Sequence, residues 1–275
     1  MDLQLRLRLL FLLSLPGCMP PSWAAPALLH PSRKAMTAQP PLPAENVEIA
    51  GEGVVLKGWL FRAAGERRGT IVYLHGMADN RASVVGVAQR YVPRGYDVLA
   101  YDSRAHGDSS GDACTYGFYE KRDLMKALDF LQAPLVAIIG VSLGAAVAIQ
   151  TAALDTRVAS IVSISTFSDL RTVASERAPF FASGANIRDA LALAETQGHF
   201  VVDEVSPVKA AAHLSIPVLL IHGAEDHETA PAHSERVYKA LAGPKRLVLL
   251  PKTGHGVGLS EPTWKVIDEW VAAKR

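Results

Sequence analysis

Short, mostly apolar runs punctuate this chain, and the stretches between them carry apolar residues at helical spacing. The runs at 70–74 (TIVYL), 96–101, 135–139, 158–164 and 217–221 are rich in β-branched residues and predict strands buried on both faces. Two earlier runs, 47–49 and 54–61, are joined through Gly51-Glu52-Gly53 and predict an antiparallel pair at the sheet edge. A run at 247–250 completes eight strands. Helical patterns fall at 80–94, 116–131, 145–154, 207–213, 230–241 and 262–274. In the second of these, Glu120, Lys121, Asp123 and Lys126 take the polar positions of an amphipathic helix. Alternation at such short intervals predicts an α/β architecture, a mostly parallel doubly wound sheet with helices on both faces. Ligands of such sheets bind beyond the carboxyl ends of the strands.

The rhythm breaks after 158–164. Residues 166–204 contain no strand pattern and carry Phe180, Phe181 and Phe200, which predicts a helical insertion acting as a lid. Aromatics in such a segment either pack under it or line a substrate pocket, and Phe180, Phe181 and Phe200 are candidate substrate-binding residues.

Residues 1–25 are patterned as a secretory signal peptide: Arg6 and Arg8, an apolar run at 9–15, then small and turn residues. The run is too short to cross a bilayer. Two processing sites compete. Ser22-Trp23-Ala24 before Ala25 is a small-x-small cleavage pattern, whereas Leu15-Pro16-Gly17-Cys18 resembles a lipobox, in which Cys18 would carry a lipid anchor. Either route predicts an exported protein, periplasmic or secreted, or held at a membrane as a lipoprotein. Residues 26–44, rich in proline and alanine, predict an extended linker before a domain at 45–275. Both routes leave Cys114 without an intramolecular partner, so no disulfide supports the fold.

A chain of 275 residues can bury one large core. Its 28 Lys and Arg against 27 Asp and Glu leave no net field to attract nucleic acid or anionic lipid, which points to a small, weakly charged partner. No phosphate-binding loop, dinucleotide fingerprint or zinc spacing occurs, and no cofactor or metal is called for. A cluster of Glu225, His227 and His233 has ligand-type residues but lacks chelating spacing.

The chemistry gathers around Gly140-Val141-Ser142-Leu143-Gly144, which joins a buried strand pattern to a helix of small residues. A serine on so sharp a turn is exposed, its neighbours two before and two after must lack bulk, and the Leu143 amide faces whatever Ser142 attacks. A serine hydroxyl needs a base within hydrogen-bond reach and an acid to orient that base. Asp226, in Gly223-Ala224-Glu225-Asp226, and His255, in Gly254-His255-Gly256, follow two later strands and lie on the same sheet edge. Singly, Asp226 reads equally as a helix cap and His255 as a turn histidine. Together, in the order serine, acid, histidine, they read as a catalytic triad. His75 and His222, at strand ends, read as structural residues that hold loop backbone. Cys114 reads as a small packed residue.

These residues resemble those of the α/β-hydrolase family, in its serine-hydrolase branch of bacterial esterases and prolyl-oligopeptidase-like peptidases. The matching stretches are VYLHGMADN, DVLAYDSRAHGDSSG, the Gly140–Gly144 elbow, LLIHGAEDHETAP and GHG. The resemblance implies a second oxyanion donor in the Met77 amide, beside that of Leu143. Ala105 stands where that family commonly has glycine. The implied function is hydrolysis of a small ester or amide through an acyl-enzyme on Ser142. A peptidase, a thioesterase, an acyltransferase, or a silent exported binding protein of the same fold are the rival readings.

Overall fold

The computed structural model describes residues 20–256 and 259–272; the leader residues Arg6, Arg8 and Cys18 lie outside the described residues. Each of the eight apolar runs forms a strand: β1 (Glu45–Ala50), β2 (Val55–Phe61), β3 (Gly69–Leu74), β4 (Tyr96–Tyr101), β5 (Val136–Val141), β6 (Val158–Ile164), β7 (Val218–Gly223) and β8 (Lys245–Leu250). They make one sheet in the order β1-β2-β4-β3-β5-β6-β7-β8, in which β2 runs antiparallel to both neighbours and every other pair after it is parallel. The chain winds outward from β3 to β4 and then returns to the other side of β3 as β5. That reversal opens a crevice at the carboxyl ends of β3 and β5, where loops diverge to opposite faces.

Side chains alternate between the two faces, as the pleat requires. On one face Val72, Leu99, Ile138 and Leu220 pack with residues of α3 (Glu120–Leu131), α4 (Leu143–Ala152) and α8 (Ala232–Ala240). On the other, Ile71, Val98, Ile139 and Leu219 meet Tyr91 of α2 (Val85–Tyr91) and Ile267 of α9 (Glu261–Ala272). Between β6 and β7 the chain forms α5 (Leu170–Arg177), α6 (Gly184–Gly198) and the short α7 (Pro207–Ala211). The first two belong to the stretch that lacks a strand pattern.

Two features differ from the sequence expectation. Glu120 and Asp123 are buried, not solvent-facing. Glu120 accepts hydrogen bonds from the amides of Thr115 and Gly117 and from the Thr115 hydroxyl, and Asp123 pairs with Arg104 and accepts the Glu52 amide. Loops at this edge have no ladder partner for those amides, and a buried carboxylate replaces one.

The second concerns residues 26–44 and the end of the leader. Pro21–Leu29 forms a helix, α1, whose Ala25 and Leu29 are buried with Leu191 and Ala194 of α6. Pro26 removes an intrahelical donor, and nine residues are marginal for a free helix, so α1 is held by packing. Its end is pinned by Tyr116, whose hydroxyl donates to the Leu28 carbonyl, and by the Cys114 amide, which donates to the Leu29 carbonyl. The following coil also adheres: Arg33 donates to the carbonyls of Ser109 and Gly111, and Met36 and Leu42 pack on the core. Composition favoured an extended linker; burial of Ala25 and Leu29 and these carbonyl contacts dock the segment instead.

Leu29→Ala is expected to lower the unfolding free energy by about 2–4 kcal/mol, the cost of deleting a buried leucine. Urea unfolding checks this, and a change within about 0.5 kcal/mol, as at a surface site, would show that α1 is not docked.

Candidate active site

Ser142 sits between β5 and α4 with φ 49° and ψ −108°, a conformation that strains a residue with a Cβ. The turn exists because the backbones around it touch. A Cβ on Gly140 would lie 2.5 Å from the Gly144 carbonyl oxygen, and one on Gly144 would lie 2.4 Å from that of Leu74. Both glycines flanking the serine are therefore required by space. Leu143 opens α4, so its amide is among the donors of a helix start that lack an intrahelical partner.

The loops after β7 and β8 bring Asp226 and His255 to the same edge. Their backbones are joined by hydrogen bonds from Ala224 to the Leu250 carbonyl and from Glu225 to the Thr253 carbonyl. Gly223 permits this approach: a Cβ there would lie 2.3 Å from the carbonyl oxygens of Thr253 and Gly254. The side chains then connect in line. Ser142 Oγ donates to His255 Nε2 at 3.1 Å, and His255 Nδ1 donates to Asp226 Oδ2 at 2.7 Å. Ser142, Asp226 and His255 are thus brought together in the order anticipated.

Asp226 is fully buried and is also served by the amides of Glu228 and Thr229, each 2.9 Å from Oδ1. Burial alone would push its pKa up. The Thr229 amide and His255 outweigh burial, so the carboxyl titrates below its ordinary value and stays charged. His222 was readable from sequence only as a strand-end histidine. The structure gives it a sharper place: Nε2 donates to the Thr229 carbonyl at 2.8 Å and to Asp226 Oδ2 at 3.1 Å, while Nδ1 accepts from Ser234 Oγ at 2.6 Å. The signal in the sequence was the spacing of four residues between a buried strand-end histidine and the acid. His75 holds the opposite loop. Its Nδ1 donates to the Gly76 carbonyl and its Nε2 accepts the Ser103 amide. A Cβ on Gly76 would lie 3.6 Å from that of Ser142, so Gly76, one residue before Met77, flanks the serine.

The aromatics of the insertion separate. Phe200 is buried, edge-on to Phe118 in a cluster with Leu29 and Val202. Phe180 is fully exposed and Phe181 half-exposed, paired with each other between α5 and α6. A cavity beside the insertion is lined by other, mostly aliphatic, residues. The expectation that Phe180, Phe181 and Phe200 line a pocket is corrected accordingly: the exposed pair falls at the tip of the α5–α6 connection, and Phe200 is used up in packing. The insertion is tied to the sheet by polar contacts that sequence gave no sign of. Arg177 donates to the Glu228 carbonyl and the Thr229 hydroxyl, beside Asp226. His233 lies between Ser168 and Glu176, with Nε2 2.8 Å from the glutamate, which occupies it away from Glu225 and His227.

A strained serine between a central parallel strand and a helix, with the acid and the histidine in the loops after the last two strands, β7 and β8, defines an α/β-hydrolase architecture. The chain belongs to that family: the family model described as alpha/beta hydrolase fold matches residues 69–209, just over half of it. A second model, described as PhoPQ-activated pathogenicity-related protein, matches residues 185–272. The uncharacterized protein YqkD of Bacillus subtilis is 30% identical over 205 residues, covering 70% of this chain and 66% of that protein, about two thirds of its length. The uncharacterized protein YfhR of Escherichia coli K12 is 28% identical over 228 residues, covering 78% of this chain and 74% of that one. Among solved structures, the Pyrococcus furiosus esterase Pf2001 superposes with a TM-score of 0.70 at 22% identity, covering 89% of this chain and 99% of its own.

Burial, with the neighbouring His106 second, pushes the His75 pKa down to about 4, below the ~6.5 of an exposed histidine. The folded state therefore favours the neutral ring. Its contribution is complete above pH ~6.5 and is lost as pH falls toward 4, since the unfolded chain binds the proton first. Urea unfolding at several pH values between 7 and 4 should show stability falling with acid, and less steeply in His75→Asn. Equal slopes would mean that His75 takes its proton as readily folded as unfolded.

Proposed function

We propose that this protein is an exported serine hydrolase acting on small ester-type substrates through an acyl-enzyme on Ser142. The observation that carries the reading is the continuous hydrogen-bonded line from Ser142 through His255 to Asp226, starting at a serine held in a strained elbow. As Ser142 Oγ attacks the carbonyl carbon, His255 Nε2 takes its proton, and Asp226 stabilises the resulting imidazolium and fixes its orientation. The carbonyl oxygen becomes an oxyanion against the amides of Leu143 and Met77. Collapse breaks the bond to the leaving alcohol, which receives the proton from His255. Water, deprotonated by His255, then attacks the acyl-enzyme and restores Ser142. His222 acts through Asp226 as a positioning residue, because its donated hydrogen bond fixes the carboxylate plane.

Export rests on the leader pattern, with Arg6 and Arg8 ahead of the apolar run 9–15. Ester substrates rest on the esterase likeness of the fold and on the absence from the sequence of a basic cluster suited to a coenzyme phosphate.

Ser142→Ala should fold as wild type, lose covalent labelling by a fluorophosphonate probe, and lose at least ~10³-fold in kcat on p-nitrophenyl esters, since only binding and oxyanion effects remain. Wild-type turnover in that variant would remove Ser142 from the role of nucleophile.

A further inference from the structure

Arg177 closes α5, the first helix of the insertion, and its side chain crosses to the loop that carries Asp226. Its Nε donates to the Glu228 carbonyl at 2.7 Å, and its Nη2 donates to the Thr229 hydroxyl. The Glu228 carbonyl and the Thr229 amide are the two poles of one peptide unit. That amide donates to Asp226 Oδ1 at 2.9 Å, and Asp226 Oδ2 accepts from His255 Nδ1 at 2.7 Å, beyond which lies Ser142. One hydrogen-bonded line therefore runs from a guanidinium of the insertion, through a peptide plane, to the carboxylate, the imidazole and the serine hydroxyl. Hydrogen bonds in series polarise one another, so a charged donor at the carbonyl end makes the amide at the other end a stronger donor.

The peptide held in this way matters to the acid. Burial alone would raise the Asp226 pKa, and the Thr229 amide is the largest of the influences that bring it below its ordinary value instead. An amide does this only while its plane faces the carboxylate. On the inner side of the loop His222 donates to the Thr229 carbonyl. On the outer side Glu228 is exposed, and Arg177 is the side chain that reaches its carbonyl. The neighbouring Glu176 ties the same end of α5 to α8 instead, with His233 Nε2 at 2.8 Å and Arg236 at 3.2 Å. Both residues fasten the insertion, but of the two only Arg177 meets the peptide that serves the acid.

We propose that Arg177 is a positioning residue for hydrolysis: its guanidinium fixes and polarises the Glu228–Thr229 peptide, and through that peptide holds the Asp226 carboxylate in the plane His255 requires. The proposal rests on the serine-hydrolase reading and adds to it a role for the insertion that is separate from substrate contact. A residue between β6 and β7 then supports an acid that follows β7.

The test uses the full chain and two variants, Arg177→Met and Glu176→Ala. Methionine keeps an apolar stem where Arg177 lines the cavity between α1 and the insertion, and loses only the guanidinium. Both side chains are exposed, so both variants should fold, as melting curves would check. In Arg177→Met, kcat on p-nitrophenyl esters and the rate of fluorophosphonate labelling should each fall by about tenfold to a hundredfold, with KM within about twofold of wild type. A small misplacement costs about that much, and loss of the acid itself would cost about 10⁴-fold. Glu176→Ala, which loosens the insertion without touching the peptide, should stay within about twofold in all three. The His255 Nδ1–H proton resonance, set by its hydrogen bond to the carboxylate, should move or vanish in Arg177→Met and stay in place in Glu176→Ala. An unchanged resonance in Arg177→Met, a kcat within about twofold of wild type, or an equal fall in both variants would each overturn the proposal. If the wild-type protein turns over no ester and takes no fluorophosphonate label, the hydrolase reading fails separately, and the resonance still decides whether Arg177 holds Asp226 against His255.

Discussion

The close approach of three backbones at the head of the central strands is the constraint on which this molecule depends. Gly140, Gly144 and Leu74 come so near one another that neither glycine tolerates a Cβ, and Ser142 is left with a positive φ as the only way through the turn. A serine in that conformation costs of order 1–3 kcal/mol, which the surrounding sheet must offset. It does so through parallel pairing of β3 with β5 and β5 with β6, strands buried on both faces. A second close approach, at Gly223 against Thr253 and Gly254, does the same for the acid and the histidine. Each contact fixes one pair of loops, and between them they leave the three side chains little freedom to be anywhere but in line.

The polar groups under these loops are organised to hold backbone and to stay in one charge state. His75 braces the Gly76–Met77 loop, and His222 braces the Asp226 loop. Burial lowers the pKa of both rings. Neutral imidazoles offer one donor and one acceptor, which matches the carbonyl and amide around His75, and the carbonyl, carboxylate and hydroxyl around His222. Protonation of His75 would set a second donor against the Ser103 amide, whereas at His222 it would require the Ser234 hydroxyl to turn from donor to acceptor. The insertion joins this network at Arg177, so the residues that shape the cavity and those that hold Asp226 share a side chain.

The strands and the line of Ser142, His255 and Asp226 were legible because their signals are local. A buried parallel strand writes itself as a β-branched run, and the elbow writes itself as glycines two residues either side of a serine. The loops after successive strands necessarily share one sheet edge, which placed Asp226 and His255 near Ser142 before any coordinates. What stayed hidden depends on neighbours distant in sequence. Glu120 and Asp123 occupy polar positions of an amphipathic helix and give no hint that they are buried under loop amides. Ala105, at a position where glycine is common, adopts φ 61°, so the loop keeps a glycine-like backbone despite the Cβ. The helix α1 is least legible of all. Proline at its centre and alanine-rich composition are the marks of a linker, and only burial of Ala25 and Leu29 against α6 makes it a helix.

That helix changes what counts as a module in this chain. The roof over the sheet edge is assembled from two pieces of sequence on opposite sides of the first six strands, and Gly198 of α6 leaves no room for a Cβ beside Leu29 of α1. A chimaera that exchanged residues 166–204 alone with a relative would pair a foreign α6 with the native α1 and mismatch their packing surfaces. The unit of exchange is discontinuous, and only grafts that carry both pieces together would preserve a fitted roof.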